Sequence, residues 1–204
     1  MRINIGLILT LIMLLYWIVA GVKPLFSRCK NVKVMILNII ASILVVVGAV
    51  GFLGSFLSAS GGLNWLPDSF EFPIGSAKNV IKTDDYYIVP HVPYERIQIY
   101  NHELEFEKGW NIEAEGGVFT LAPLDNKKFI VYTARGAHKY IYTTEGSLLA
   151  SENYNPLLYS SLESNGIELI IPTFPLLLVF SHPIISFIIA VIGSGLQAFS
   201  KKSK

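Results

Sequence analysis

Three blocks of nearly continuous apolar residues punctuate the chain, and one long stretch between the second and third alternates apolar with polar positions. The blocks cover about 3–22, 34–57 and 169–200. Roughly 20 apolar residues in a helix cross a hydrocarbon core ~30 Å thick, so the pattern predicts about three transmembrane helices. A cleaved signal peptide is the competing reading of the first block. Arg2 would be its only leading charge, and Val19-Ala20-Gly21 makes a poor cleavage site. The third block is longer than a span needs, and Pro172 and Pro175 break its start. Thr173 as N-cap, with a proline soon after, suits a helix beginning near Phe174.

From Gly75 to about Tyr154 the period changes to alternation. Tyr86-Tyr87-Ile88-Val89, Arg96-Ile97-Gln98-Ile99-Tyr100, Val118-Phe119-Thr120-Leu121, Phe129-Ile130-Val131-Tyr132 and Lys139-Tyr140-Ile141-Tyr142 are β-branched and aromatic runs. Thr83-Asp84-Asp85, Asp125-Asn126-Lys127 and Glu145-Gly146 read as turns. The prediction is an antiparallel β-meander. It also repeats: at an offset of 42 residues Gly75 falls on Gly117, Tyr87-Ile88-Val89 on Phe129-Ile130-Val131, Ile99-Tyr100 on Ile141-Tyr142, and Glu103 on Glu145. The pairs Ile88/Ile130 and Ile99/Ile141 are expected at equivalent buried strand positions.

A period of 40–50 residues with four short strands per unit marks β-propeller blades. The run from Gly75 to Glu107 resembles a blade of the NHL type, with its acidic turn, Tyr-Ile-Val strand and Arg96-Ile97-Gln98-Ile99-Tyr100. Closed propellers have 4–8 blades, whereas two are legible here. Either two sheets pack face to face, or blades from several subunits complete an assembly, which would hide edge strands.

Charge then orients the chain. Of 204 residues, 52% are hydrophobic and 15% charged, with a mean hydropathy of +0.50. All 15 acidic residues lie between Asp68 and Glu168 with 8 of the 16 basic ones, a net of −7. The other basic residues (Arg2, Lys23, Arg28, Lys30, Lys33, Lys201, Lys202 and Lys204) sit beside apolar blocks. Short loops dense in Lys and Arg stay in the cytoplasm, which predicts an N-terminus outside, a C-terminus inside and the β-domain translocated. An acidic domain repels phosphate backbones, so no nucleic acid is expected. Cys29 alone forms no internal disulfide. With no Asn-x-Ser/Thr acceptor in the sequence, a bacterial cytoplasmic (inner) membrane is the expected home.

The expected organisation is membrane α plus β: two helices with a short basic loop over 1–57, a linker over 58–74, an extracytoplasmic β-repeat domain over 75–154, a linker over 155–173, and a third helix with a basic tail over 174–204. Gly48, Gly51, Gly54 and Ser58 form a small-residue stripe, suited to packing on the chain's own helices or to a homodimer. Asn38 is read as snorkelling or bonding a neighbouring helix, and His182 as wetted at the interface. The whole chain is similar to uncharacterised bacterial membrane proteins through Trp65-Leu66-Pro67, Phe70-Glu71-Phe72-Pro73, Val89-Pro90-His91, Gly109-Trp110, Thr133-Ala134-Arg135-Gly136 and Phe180-Ser181-His182-Pro183. That resemblance implies the architecture and no activity.

Most enzyme signatures are missing from the sequence. It has no phosphate-cradling glycine loop, no His-Glu-x-x-His and no Gly-x-Ser-x-Gly. In the repeat register the loops 90–96 and 132–138 are equivalent and share one rim. They hold His91, Glu95 and Arg96 in one copy, Arg135 and His138 in the other. Arg96 and Arg135 suit a carboxylate or phosphate, so His91, Arg96, Arg135 and His138 are the candidate ligand-binding residues. Ordinary solvated loops are the plain alternative. Strand counting turns this rim toward the bilayer, where Arg96, Arg135 and Lys139 would meet anionic headgroups. Two histidines without a third ligand give no metal site, and no cofactor or catalytic residue is assigned. The leading function is a binding or assembly module presented outside the membrane. The alternatives are a membrane-anchored enzyme or subunit using the His91/Arg135 rim, and an accessory subunit of a transporter or channel. The expected partners are the lipid bilayer and a second copy or another membrane protein.

Overall fold

The computed structural model describes residues 5–26, 31–162 and 166–202. Arg2, Arg28, Cys29, Lys30, Glu163 and Lys204, on which parts of the charge and redox reading rest, lie outside them. The chain divides into two compact units, one of 1–57 with 175–204 and one of 58–174.

The first unit is helical. It contains α1 (Ile5–Val22), α2 (Val32–Ala59, its last two residues in the other unit) and a helix Pro183–Lys202 near the end of the chain. Among the described residues three helices are thus long and apolar enough to cross a membrane. α1 leaves Leu9, Ile12, Leu15 and Tyr16 more than half exposed, as lipid-facing side chains are, because lipid tails give helices no hydrophobic drive to hide them from one another. The glycines mark where backbones meet. A Cβ on Gly48 would lie 2.5 Å from the Ala190 nitrogen and the Ser186 carbonyl, and one on Gly193 would lie 2.8 Å from the Ala41 carbonyl. The small-residue positions Gly48 and Gly51 therefore pack on the chain's own last helix. Asn38 accepts a hydrogen bond from the Ser200 hydroxyl at 2.6 Å, satisfying two buried polar groups between helices.

That last helix begins at Pro183 and not near Phe174. Residues Pro175–Ser181 form a 3-10 stretch, and proline takes the first helical position, where its missing N–H costs nothing. His182 is the residue just ahead of the helix.

The second unit is antiparallel β. Its strands are β1 (Ser76–Lys82), β2 (Tyr87–His91), β3 (Arg96–Tyr100), β4 (Phe106–Asn111), β5 (Phe119–Asp125), β6 (Lys128–Thr133), β7 (His138–Thr143), β8 (Leu148–Asn153) and β9 (Ile167–Ile170), with one helical turn, α3 (Tyr159–Leu162), before the last. They make two sheets, ordered β4-β3-β2-β1-β9 and β5-β6-β7-β8. The stretch 155–173, expected as linker, supplies β9, which pairs with β1. The stretch 58–74 also joins the domain, since Phe72 and Ile74 are buried in it.

The pairing recurs at 42 residues. Ile88 opposes Ile99 as Ile130 opposes Ile141. The bulge between Ile99 and Tyr100 returns between Ile141 and Tyr142. The turn Asn101.–Glu105 is closed by a backbone bond and an Asn101 side-chain bond, and Thr143–Ser147 is closed the same way by Thr143. Among the described residues there are two sheets, and they do not close into a ring.

The expectation of one common buried isoleucine row is corrected. Ile88, Ile97 and Ile99 enter the core between the sheets, where they meet Phe119, Leu121, Phe129, Val131, Tyr140 and Tyr142. Ile130 and Ile141 point to the far side of the second sheet and are only half-buried. The physical reason is the stacking. The front of the first sheet lies on the back of the second, so equivalent rows face the same way along the stack and only one of them is enclosed.

Candidate functional site

β3 carries the outward residues Arg96, Gln98 and Tyr100 between the inward Ile97 and Ile99. All three are almost fully buried, because the segment 67–74 lies across this back face. The Gln98 amide mimics a strand, accepting from Phe72 N–H at 2.7 Å and donating to the Phe72 carbonyl at 3.0 Å. Gln98 also donates to the Tyr100 hydroxyl, which donates to Glu71 at 2.9 Å. Arg96 donates to the carbonyls of Pro67, Phe70 and Gly109 and to Asn111 Oδ1, at 2.7–3.2 Å. Burial lowers its pKa, opposed by nearby Asp68. Arg96, expected at a solvent rim, is 1% exposed and is a clamp on the domain's own chain.

His91 stands directly across from Arg96 in the ladder. Its ring is buried 5.0 Å from Tyr94 and 5.9 Å from Phe72. Burial pushes the Tyr94 phenol up to about 12. Between them Glu95 adopts the left-handed region at φ 48°, a conformation uncommon for residues other than glycine. Its buried carboxylate accepts from the N–H groups of Gly116 and of Ala114 (3.4 Å), while its own carbonyl accepts from Ile112 N–H at 2.8 Å. Burial raises the Glu95 pKa, and these bonds and the Arg135 charge partly oppose the rise. Glu95 thus ties the β2–β3 loop to the connection between the sheets.

Arg135 is exposed and donates to the Glu115 carbonyl at 2.9 Å. His138 is half-buried with its ring 5.8 Å from Tyr140, and its N–H reaches Thr133 Oγ1 at 3.2 Å. The four predicted residues therefore divide. His91 and Arg96 stiffen the first sheet from inside, and Arg135 and His138 edge the second. Arg96 bonds to Pro67, Phe70, Gly109 and Asn111, and Arg135 bonds to Glu115. Among the described residues no three His, Cys, Asp or Glu side chains gather as metal ligands.

A feature the sequence reading passed over lies on the second sheet. Its outer face carries a straight cross-strand row, Ala122, Ile130, Ile141 and Ala150. All four are half-buried, and Leu124 on the same face is 50% exposed. The neighbouring part of that face is covered: Tyr154 stacks edge-on against Tyr132 at 5.1 Å, α3 lies against β5, and Thr120 is fully buried. The signal was present in Phe129-Ile130-Val131-Tyr132, which is apolar at both parities and so implies two apolar faces.

Comparison with family models, with curated proteins and with solved structures finds no match to the chain.

Proposed function

We propose that this chain is a multi-pass protein of a bacterial cytoplasmic membrane that presents its β-domain on the outer side as a binding or assembly module. In this reading the two meanders are blade-like repeats, the N-terminus is outside and the C-terminus inside. The observation that carries it is the open row Ala122, Ile130, Ile141 and Ala150. In the first sheet the equivalent row, through Ile88 and Ile99, is the one that receives another sheet. In the second sheet the same local face ends the stack. The opposite end is closed, since 67–74 and Ile171 cover the back of the first sheet. A stack closed at one end and apolar at the other is suited to take up one further sheet-like surface from another chain.

The test places a benzophenone amino acid at position 130 or 141 of the full-length protein in intact membranes, with position 103 on an exposed turn as control. Discrete protein adducts from 130 and 141, absent at 103 and lost from 130 on Ile141→Asp, are expected. Adducts from position 135 alone would favour the rim that was read from sequence. No adduct from 130 or 141 would overturn the proposal.

A further inference from the structure

The helical unit holds a cavity of about 420 Å³ that belongs to no site described so far. It lies where α1 ends, α2 begins and the last helix (α4, Pro183–Lys202) ends. Lys23 and Lys201 line it from two different helices, with the amides of Asn38 and Gln197 and the ring of Phe26. Its floor is built. Gln197 Nε2 donates at 3.1 Å to the Gly21 carbonyl, one of the last carbonyls of α1, which has no partner within that helix. The Ser200 hydroxyl donates to Asn38 Oδ1 at 2.6 Å. Both Asn38 and Ser200 are nearly inaccessible. These two bonds fasten all three helices at one level, so the lysines above them open into a shaped space. Phe26, which lines the cavity, is 83% exposed.

We propose that this cavity binds the phosphate of an anionic phospholipid headgroup, with Lys23 and Lys201 as its cationic partners and the exposed Phe26 against an acyl chain. Two ammonium groups facing one cavity repel each other until an anion lies between them. Basic pockets between transmembrane helices take up lipid phosphates for this reason. Gln197 commits a donor to Gly21, so the ammonium groups supply the recognition and the amide fixes the wall. The plain alternative is that each lysine only anchors its own helix end at the interface or offsets its dipole. In that case neither would discriminate among headgroups.

The test uses the full-length protein released from membranes in mild detergent and measured intact by native mass spectrometry, with phosphatidylglycerol and phosphatidylcholine offered in equal amounts. Preferential retention of phosphatidylglycerol is expected. The double variant Lys23→Gln, Lys201→Gln should reduce that preference by about 30-fold, and Lys23→Arg, Lys201→Arg should restore it, which separates loss of charge from loss of folding. Lys127→Gln, Lys128→Gln in the β-domain should change nothing. Equal retention of the two lipids by the native protein, or an unchanged preference in the Lys→Gln variant, would overturn the proposal. Displacement of the bound lipid by excess inorganic phosphate would overturn the lipid as the source of the anion.

Discussion

Arg96 and Arg135 look alike in the sequence, each in a loop expected at the same rim, and the structure gives them opposite weights. Arg96 is buried and makes four hydrogen bonds, three of them to main-chain carbonyls of the segments it holds. Truncation to alanine removes charge-assisted donors from one buried carbonyl, Gly109, and two partly buried ones, Pro67 and Phe70. A buried acceptor left without its partner costs about 1–3 kcal/mol. Pro67 keeps the Phe70 N–H, so two carbonyls bear most of the loss, and Arg96→Ala should cost about 3 kcal/mol. Arg135 is exposed and makes a single 2.9 Å bond to Glu115, so Arg135→Ala should cost under about 1 kcal/mol. Pulse proteolysis of the full-length protein in detergent measures both. Hydrogen exchange over 66–74 locates the effect, because that segment should lose protection first in Arg96→Ala. A change below about 0.5 kcal/mol for Arg96→Ala, or equal losses for the two variants, would refute the clamp.

Three further outcomes follow from other parts of the molecule. Burial holds the Glu95 pKa above its ordinary 4.5, so its contribution is fully present below that pH and is lost as the pH rises through the folded-state value. Glu95→Gln should flatten this part of the stability–pH curve, and an unchanged slope in thermal melts of the variant would contradict the assignment. Gly48→Leu drives a side chain into the Ser186 and Ala190 backbone and should destabilise the helical unit by about 1–3 kcal/mol, read by loss of cooperative unfolding in detergent. In a Cys29→Ala background, single cysteines at Ser69 and Ser147 should react with an impermeant thiol reagent in intact cells while one at Ser203 stays protected. The reverse pattern would invert the proposed orientation.

The three apolar helices were legible because each is a long run that nothing but lipid or a large core can satisfy. Strands β2, β3, β5, β6 and β7 were legible because their β-branched and aromatic runs are central or face the core. β1, β4 and β8, expected only as members of four-stranded units, and β9, which falls in a stretch expected as linker, lack that signal. β4 reads Phe-Glu-Lys-Gly-Trp-Asn at a sheet edge, and β8 is almost wholly exposed. β1 breaks its alternation at Asn79, which takes φ 57° at a bulge. β9 is four residues long and exists through its pairing with β1, a contact between residues some ninety apart that no local pattern announces. The burial of Arg96 was illegible for the same kind of reason. Alternation along β3 assigns Arg96 to the outward face, but only the path of 67–74 decides that the outward face is buried.

Pairing of β1 with β9 also fixes how the domain bears a load. The two strands are antiparallel, and the first residue of β1, Ser76, sits opposite the last of β9, Ile170. Tension that draws those two ends apart does not shear the ladder, which would strain all its bonds together. It opens the ladder like a zip, beginning with the Ile171 N–H to Gly75 carbonyl bond at 2.7 Å and passing to the next pair. Such peeling needs little force, since each bond breaks in turn. It frees β9 and bares the edge of β1 while the eight-stranded remainder, joined through its own loops, carries none of the load. A pull on 171–174 against β1 would thus be converted into an exposed strand edge, a ready template for pairing with another chain.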